Sequence, residues 1–113
     1  MRYVVLIPTY NNATTLQTVL DRLQPFTSDI LVVNDGSTDR TLEILKQYPH
    51  SIQVISYERN RGKGHALVTG FREAMTLGYD YAITIDSDGQ HYPEDLPLFL
   101  QETALPVLRY LQD

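Results

Sequence analysis

Four short apolar runs, rich in β-branched residues and each followed by polar turn residues, divide the chain at regular intervals. They are Tyr3-Val4-Val5-Leu6-Ile7 (closed by Pro8), Asp29-Ile30-Leu31-Val32-Val33, Ile52-Gln53-Val54-Ile55-Ser56-Tyr57 and Tyr81-Ala82-Ile83-Thr84-Ile85. Runs of this length and composition read as buried strands. Helical patterns fill the gaps. Asn12 can cap a helix in which Leu16, Val19, Leu20 and Leu23 recur at helical spacing until Pro25. A second helix is predicted from Ser37 or Thr38 through Leu42 and Leu45 to about Gln47, and a third from about Gly64 to near Gly78. Pro93 opens a fourth, carrying Leu96, Phe99 and Leu100.

Near-continuous apolar strands joined by helices imply a parallel sheet covered on both faces. Right-handed crossovers then give an α/β, doubly wound, Rossmann-like fold with strand order 3-2-1-4. Strands 1 and 4 are neighbours at the switch point, so the segments after Ile7 and Ile85 face one crevice. Ligands of open α/β sheets bind there. At 113 residues, with no repeat and no Gly/Ser linker, the chain fits one domain. The absence of cysteine excludes disulfides, thiol catalysis and thiolate zinc sites. A net charge of -5 argues against a general nucleic-acid binder and requires that an anionic ligand be neutralised by a metal or a few placed cations. No apolar run approaches the roughly 20 residues of a membrane span. A cytoplasmic protein is expected, at most peripheral to a membrane.

The polar residues collect at the strand ends. Asp86-Ser87-Asp88 follows strand 4, and in extended chain its two carboxylates stand on one side with Cα atoms roughly 6.5–7 Å apart. They repel unless a cation lies between them. Oxygen ligation suits Mg2+ or Mn2+, and Gln90 is near enough to add a neutral oxygen. The plain alternative is a solvated Asp/Gly turn, against which the switch-point position argues. A calcium hand fails on spacing, since His91 and Pro97 stand where Gly and Glu are needed. A haloacid-dehalogenase-type phosphatase also places Asp-x-Asp-Gly after a strand, but on its first strand and with Thr or Val where Gln90 stands.

Asp35, at the end of strand 2, could accept a hydrogen bond from a nucleobase, whereas Asp39 and Thr38 suit a helix start. Tyr10, in Pro8-Thr9-Tyr10-Asn11, offers either a flat face to a base or a core contact. Arg59, Arg61 and Lys63, interleaved with Asn60, Gly62 and Gly64, suit a diphosphate or a solvated loop. The segment is neither a Walker A loop nor a dinucleotide fingerprint. His50 and His65 read as structural, His91 beside Gln90 as structural or as a phosphate or metal contact, and no Ser–His–Asp arrangement can be assembled.

Four segments in order carry a resemblance: Val5-Leu6-Ile7-Pro8-Thr9-Tyr10-Asn11-Asn12, Val33-Asn34-Asp35-Gly36-Ser37-Thr38-Asp39, Arg59-Asn60-Arg61-Gly62-Lys63-Gly64 and Asp86-Ser87-Asp88-Gly89-Gln90-His91. Together they resemble the nucleotide-binding half of the family 2 glycosyltransferases of GT-A fold. The last two are most similar to the branch containing dolichyl-phosphate mannose and glucose synthases. The resemblance implies a nucleoside-diphosphate-sugar donor of GDP-mannose or UDP-glucose type. It places Pro8, Thr9, Tyr10 and Asn11 around base and ribose, and Asp35 on the base. Arg59, Asn60 and Lys63 then lie near the nucleotide together with Asp86 and Ser87, and Asp86, Asp88 and Gln90 hold Mg2+ or Mn2+. It further implies inverting transfer to a polyprenyl-phosphate or glycan acceptor, with the acceptor residues in a C-terminal half. The sequence Ala104 to Asp113 supplies no such half. The chain is therefore expected to be a single donor-binding domain over residues 1–113, prone to self-association, and a non-catalytic nucleotide-sugar-binding fragment is the alternative.

Overall fold

In a computed structural model, which describes residues 2–48, 52–86 and 105–112, the expected alternation is present. Strand β1 (Tyr3–Thr9) leads to helix α1 (Ala13–Leu23), β2 (Ile30–Asp35), α2 (Thr41–Lys46), β3 (Ile52–Tyr57), α3 (Lys63–Thr76) and β4 (Tyr81–Thr84). The order is β3-β2-β1-β4, with every neighbour parallel, as the crossover argument requires. A fifth, unanticipated strand, β5 (Leu105–Pro106), runs antiparallel on the free edge of β4 and passes directly into α4 (Val107–Gln112). A two-residue edge strand ending in proline carries too little pattern to be read locally. The helix predicted from Pro93 through Leu96, Phe99 and Leu100 lies outside the described residues, as does His50.

The central strands β1 and β2 are buried along nearly their whole length because both faces are covered, whereas the edge strand β3 exposes Gln53, Val54 and Ser56. Val5 and Ile7 of β1 join Ile30, Val32, Ile83 and the α1 stripe Leu16, Val19, Leu20 and Leu23 on one face. The alternate residues Val4 and Leu6 join Leu31, Val33, Ala66, Phe71, Ala74 and Val107 on the other. Helix α3 approaches β1 so closely that a Cβ on Gly70 would stand 2.3 Å from a Leu6 methyl. Leu6 is fully buried and cannot swing aside, so the glycine sets the distance between helix and sheet.

Pro8 lies within β1 rather than after it, and this opens the crevice. Val5 donates its N–H to Asp29 on the β2 side (2.9 Å), and Leu6 accepts from Ile85 on the β4 side (3.0 Å). Successive residues of a parallel strand turn to opposite neighbours, so Pro8 faces β4 with no N–H to offer. Pairing of β1 with β4 accordingly stops at Leu6 opposite Thr84, while pairing with β2 continues to Thr9 opposite Asn34. The two strands part at the switch point.

Candidate nucleotide site at the switch point

Where β1 and β4 separate, a cleft of about 300 Å3 opens at the carboxyl ends of the strands. Pro8, Thr9, Tyr10 and Asn12 line it from the end of β1, and Asp35 from the end of β2. Asn60, Gly62, Lys63 and Ala66 line it from the β3–α3 loop and the start of α3, and Asp86 from the end of β4. Seven of the sequence-predicted site residues thus meet in one cavity. Tyr10 is 45% exposed and presents its ring to solvent rather than to the core. Thr9 is buried, and its hydroxyl has no hydrogen-bond partner among the described residues.

Asp35 holds the loop that forms one wall. Its carboxylate, 3% exposed, accepts from the Asn60 side chain (2.9 Å) and from the backbone N–H groups of Arg61 (2.8 Å) and Gly62 (2.9 Å). Gly36 makes this approach feasible. Its φ is +69°, and a Cβ there would lie 2.2 Å from the backbone nitrogen of Asn60, so no side chain is tolerated. Asp35 therefore lines the cleft with most of its acceptor capacity already committed. The Tyr57 hydroxyl is buried without a hydrogen-bond partner among the described residues, and burial, reinforced by the negative Asp35 nearby, holds its phenol above the ordinary range. His65 packs edge-on against the Tyr57 ring at 5.5 Å, the structural use its sequence context suggested.

Lys63 and Asp86 face each other across the cleft, with the ammonium donating to Asp86 Oδ1 at 2.7 Å. Their side chains are 62% and 28% exposed, respectively. Ser87, Asp88 and Gln90, the rest of the predicted cation and nucleotide set, lie outside the described residues, as does His91. Among the described residues no three His, Cys, Asp or Glu side chains gather around one point. Asp86 is the member of that set whose surroundings are seen.

Two predicted contacts are not among the lining residues. Asn11, at φ +52°, does not line the cleft: its Oδ1 accepts from the N–H groups of Thr38 (2.8 Å) and Asp39 (3.3 Å). Asparagine tolerates that left-handed backbone, and the side chain ties the β1 end to the turn after β2. Arg59 is also not among the residues that line the cleft. The N–H groups of Ser37, Thr38 and Asp39 are bound to Asn34 and Asn11 side chains, and α2 starts at Thr41 rather than at Ser37 or Thr38.

Asp39 caps two helices at once. Oδ1 accepts from the Thr41 backbone (3.0 Å) and hydroxyl, and Oδ2 accepts from the backbone N–H of Ala13 at the start of α1 (3.2 Å). Asn12, expected to cap α1, makes no side-chain capping bond. Partial burial pushes the Asp39 carboxyl up, but the bonds from Thr41 and Ala13 outweigh it and hold the group below its ordinary 3.8. A depressed carboxyl stabilises the fold above its unfolded value and loses that contribution as pH falls through the folded one. Asp39→Ala is accordingly expected to cost about 1–2 kcal/mol at neutral pH. Urea unfolding of both proteins should show that gap constant at neutrality and narrowing once pH falls below 3.8; a gap that widens in acid would contradict the assignment.

Comparison with known proteins adds four findings. The chain matches the family described as Glycosyl transferase family 2 over residues 4–104. It is 34% identical to a UDP-N-acetylglucosamine--dolichyl-phosphate N-acetylglucosaminyltransferase of Methanococcus voltae, covering 86% of this chain and 45% of that protein. It is 38% identical to an undecaprenyl-phosphate mannosyltransferase of Micrococcus luteus, covering 89% of this chain and 44% of that protein. Among solved structures it resembles glucosyl-3-phosphoglycerate synthase from Mycobacterium tuberculosis in complex with Mn2+, UDP and phosphoglyceric acid. The TM-score there is 0.69 at 26% identity, covering 88% of this chain and 38% of that one. The chain thus spans less than half the length of the curated relatives it matches.

Proposed function

The chain belongs to glycosyl transferase family 2, and on that premise we propose that the switch-point cleft is the donor site of a metal-dependent, inverting sugar transfer from a nucleoside-diphosphate sugar to a polyprenyl phosphate. The fold is the GT-A arrangement that the motifs implied, with a mixed five-stranded sheet in the order β3-β2-β1-β4-β5. The observation that carries the reading is Asp86, a carboxylate at the mouth of the cleft that already holds a cation on one oxygen. Its chemistry fits Mg2+ or Mn2+, with Asp88 and Gln90 as the further ligands that the family resemblance implies. When bound, such an ion acts as a Lewis acid on the departing nucleoside diphosphate. The Mn2+ and UDP of the mycobacterial neighbour support this choice.

The remaining roles fall to this chain's own groups. Tyr10 offers a face on which a base can lie, and the unpartnered Thr9 hydroxyl has a hydrogen bond left to make. Asn60 and Lys63 stand where the diphosphate would pass, on a loop anchored by Asp35. The polyprenyl-phosphate acceptor rests on the names of the two relatives. Among the described residues no helix is long and apolar enough to cross a membrane. A phosphate monoanion or dianion is nucleophilic without a protein base, which makes it a suitable acceptor for a cleft whose described carboxylates are committed elsewhere. The match over residues 4–104 leaves the phosphatase alternative without support.

The length comparison favours a second reading, in which these residues bind the donor but do not transfer its sugar unaided. One assay separates the two. The chain is incubated with Mn2+, radiolabelled UDP-glucose, UDP-N-acetylglucosamine or GDP-mannose, and undecaprenyl or dolichyl phosphate. Lipid-linked sugar supports transfer by this chain, whereas donor binding without product supports the binding-only reading. Neither binding nor product would end both.

A further inference from the structure

Lys63 has two claims on it that cannot be met at once. Its ammonium sits 2.7 Å from Asp86 Oδ1, on the carboxylate proposed to take the divalent cation. It is also the one cationic side chain among the described residues lining the cleft that a diphosphate would enter. Its Cα is fixed, because Lys63 is the first residue of α3 and the preceding Gly62 N–H is held by Asp35. Its stem is not fixed: the side chain is 62% exposed and can swing between partners.

Without ligand, ammonium and carboxylate neutralise each other. A divalent cation arriving alone must displace the ammonium from Asp86 and leave it unpaired. A diphosphate arriving alone must draw Lys63 away from Asp86 and leave the carboxylate bare. When both arrive together, the cation takes the carboxylate and the ammonium finds a phosphate oxygen.

We infer that Lys63 is an exchangeable counter-ion of Asp86, which suppresses binding of the metal alone and couples metal binding to nucleotide binding. This rests on the donor-site reading above and adds to it the coupling between the two ligands. Linkage makes the coupling reciprocal: whatever factor nucleotide adds to metal affinity, metal adds to nucleotide affinity.

The test uses Mn2+ and UDP as probes on the whole chain. Free Mn2+ is counted by electron paramagnetic resonance with and without UDP, and UDP affinity is measured by calorimetry at saturating Mn2+. An exposed ion pair is worth a factor of about 2–5, so Lys63→Met should tighten Mn2+ binding in the absence of UDP by that factor. The same variant should weaken UDP binding at saturating Mn2+ by roughly tenfold, a charge-assisted bond to phosphate being lost. Lys63→Arg keeps the charge and should stay near wild type in both. Opposite signs in Lys63→Met support the exchange. Unchanged or weaker Mn2+ binding overturns it, because a lysine that only contacts phosphate would leave metal affinity alone. If wild-type chain binds UDP and GDP equally well with Mn2+ and with chelator, the donor-site reading itself fails. If it shows metal dependence but Lys63→Met does not tighten Mn2+, the exchange alone fails. Circular dichroism of each variant reads out the fold, which this exposed side chain does not hold together.

Discussion

Asp86→Ala is expected to weaken UDP and GDP binding in the presence of Mn2+ by about 100-fold or more, equivalent to about 2.8 kcal/mol. Two effects oppose each other in this variant. Removing the carboxylate takes away a ligand of the cation and, with it, most of the neutralisation of the diphosphate. It also frees Lys63, whose ammonium lies 2.7 Å from Asp86 Oδ1 in the protein, to turn toward a phosphate. The second effect is bounded by the worth of an exposed charge pair, about 1 kcal/mol at most, so the first prevails. The same bound says that the fold should not suffer, because the pair is solvent-accessible on both sides. Calorimetric titration with a parallel thermal melt checks both halves. A variant that kept its affinity, or one that lost it only by unfolding, would contradict the role given to Asp86.

Asp35→Ala is the change expected to damage the fold most near the site, by about 3 kcal/mol. The lost carboxylate leaves the backbone N–H groups of Arg61 and Gly62 without acceptors, and Asn60 keeps only its longer bond to the Asp35 carbonyl (3.2 Å). Each such group costs about 1–3 kcal/mol if it stays buried. Water can replace part of the loss, since Asn60 and Arg61 reach the surface, which puts the total near the low end of the sum. The consequence for the cleft is larger than the number suggests. Gly62 and Lys63 start α3 from that loop, so releasing it moves the cleft wall and the ammonium together. Urea unfolding should show the loss, and limited proteolysis should show new cleavage between Glu58 and Lys63. A stability change below about 1 kcal/mol would mean that the loop holds itself in place. Asp35→Asn keeps one acceptor oxygen and should fall between the alanine variant and wild type.

These variants mark what was legible in the chain and what was not. The β-branched runs gave the strands, their continuous apolar character gave the parallel sheet, and topology then placed the residues after Ile7 and Ile85 beside one crevice. That reasoning needs only local pattern and the handedness of crossovers, and it brought Tyr10, Asp35, Lys63 and Asp86 to one cleft. It did not reach the partners those side chains choose. Asn11 binds the turn after β2, 27 positions away at Thr38, and Asp39 reaches back 26 positions to cap α1. Such bonds exist only once the sheet has set the loops side by side, so no spacing within either segment announces them. Asp35 illustrates the same limit: its place after β2 reads as a nucleobase contact, and its bonds to Asn60, Arg61 and Gly62 are not announced by that place. Gly36 permits the anchor: its positive φ and its contact with Asn60 leave room for nothing but hydrogen. A glycine following such an aspartate is the sequence signal that could have suggested a close backbone approach. Pro8 carried a second overlooked signal, since a proline at the end of a central strand marks where the ladder must open.

The central claim is that the switch-point cleft binds a nucleoside diphosphate through a divalent cation on Asp86. Calorimetric titration of the wild-type chain with UDP and with GDP, once with Mn2+ and once with EDTA, tests it most directly. Binding of one of the two nucleotides with Mn2+, lost with EDTA, is the expected result. Equal affinity in the two conditions, or no binding of either nucleotide with Mn2+ present, would contradict it.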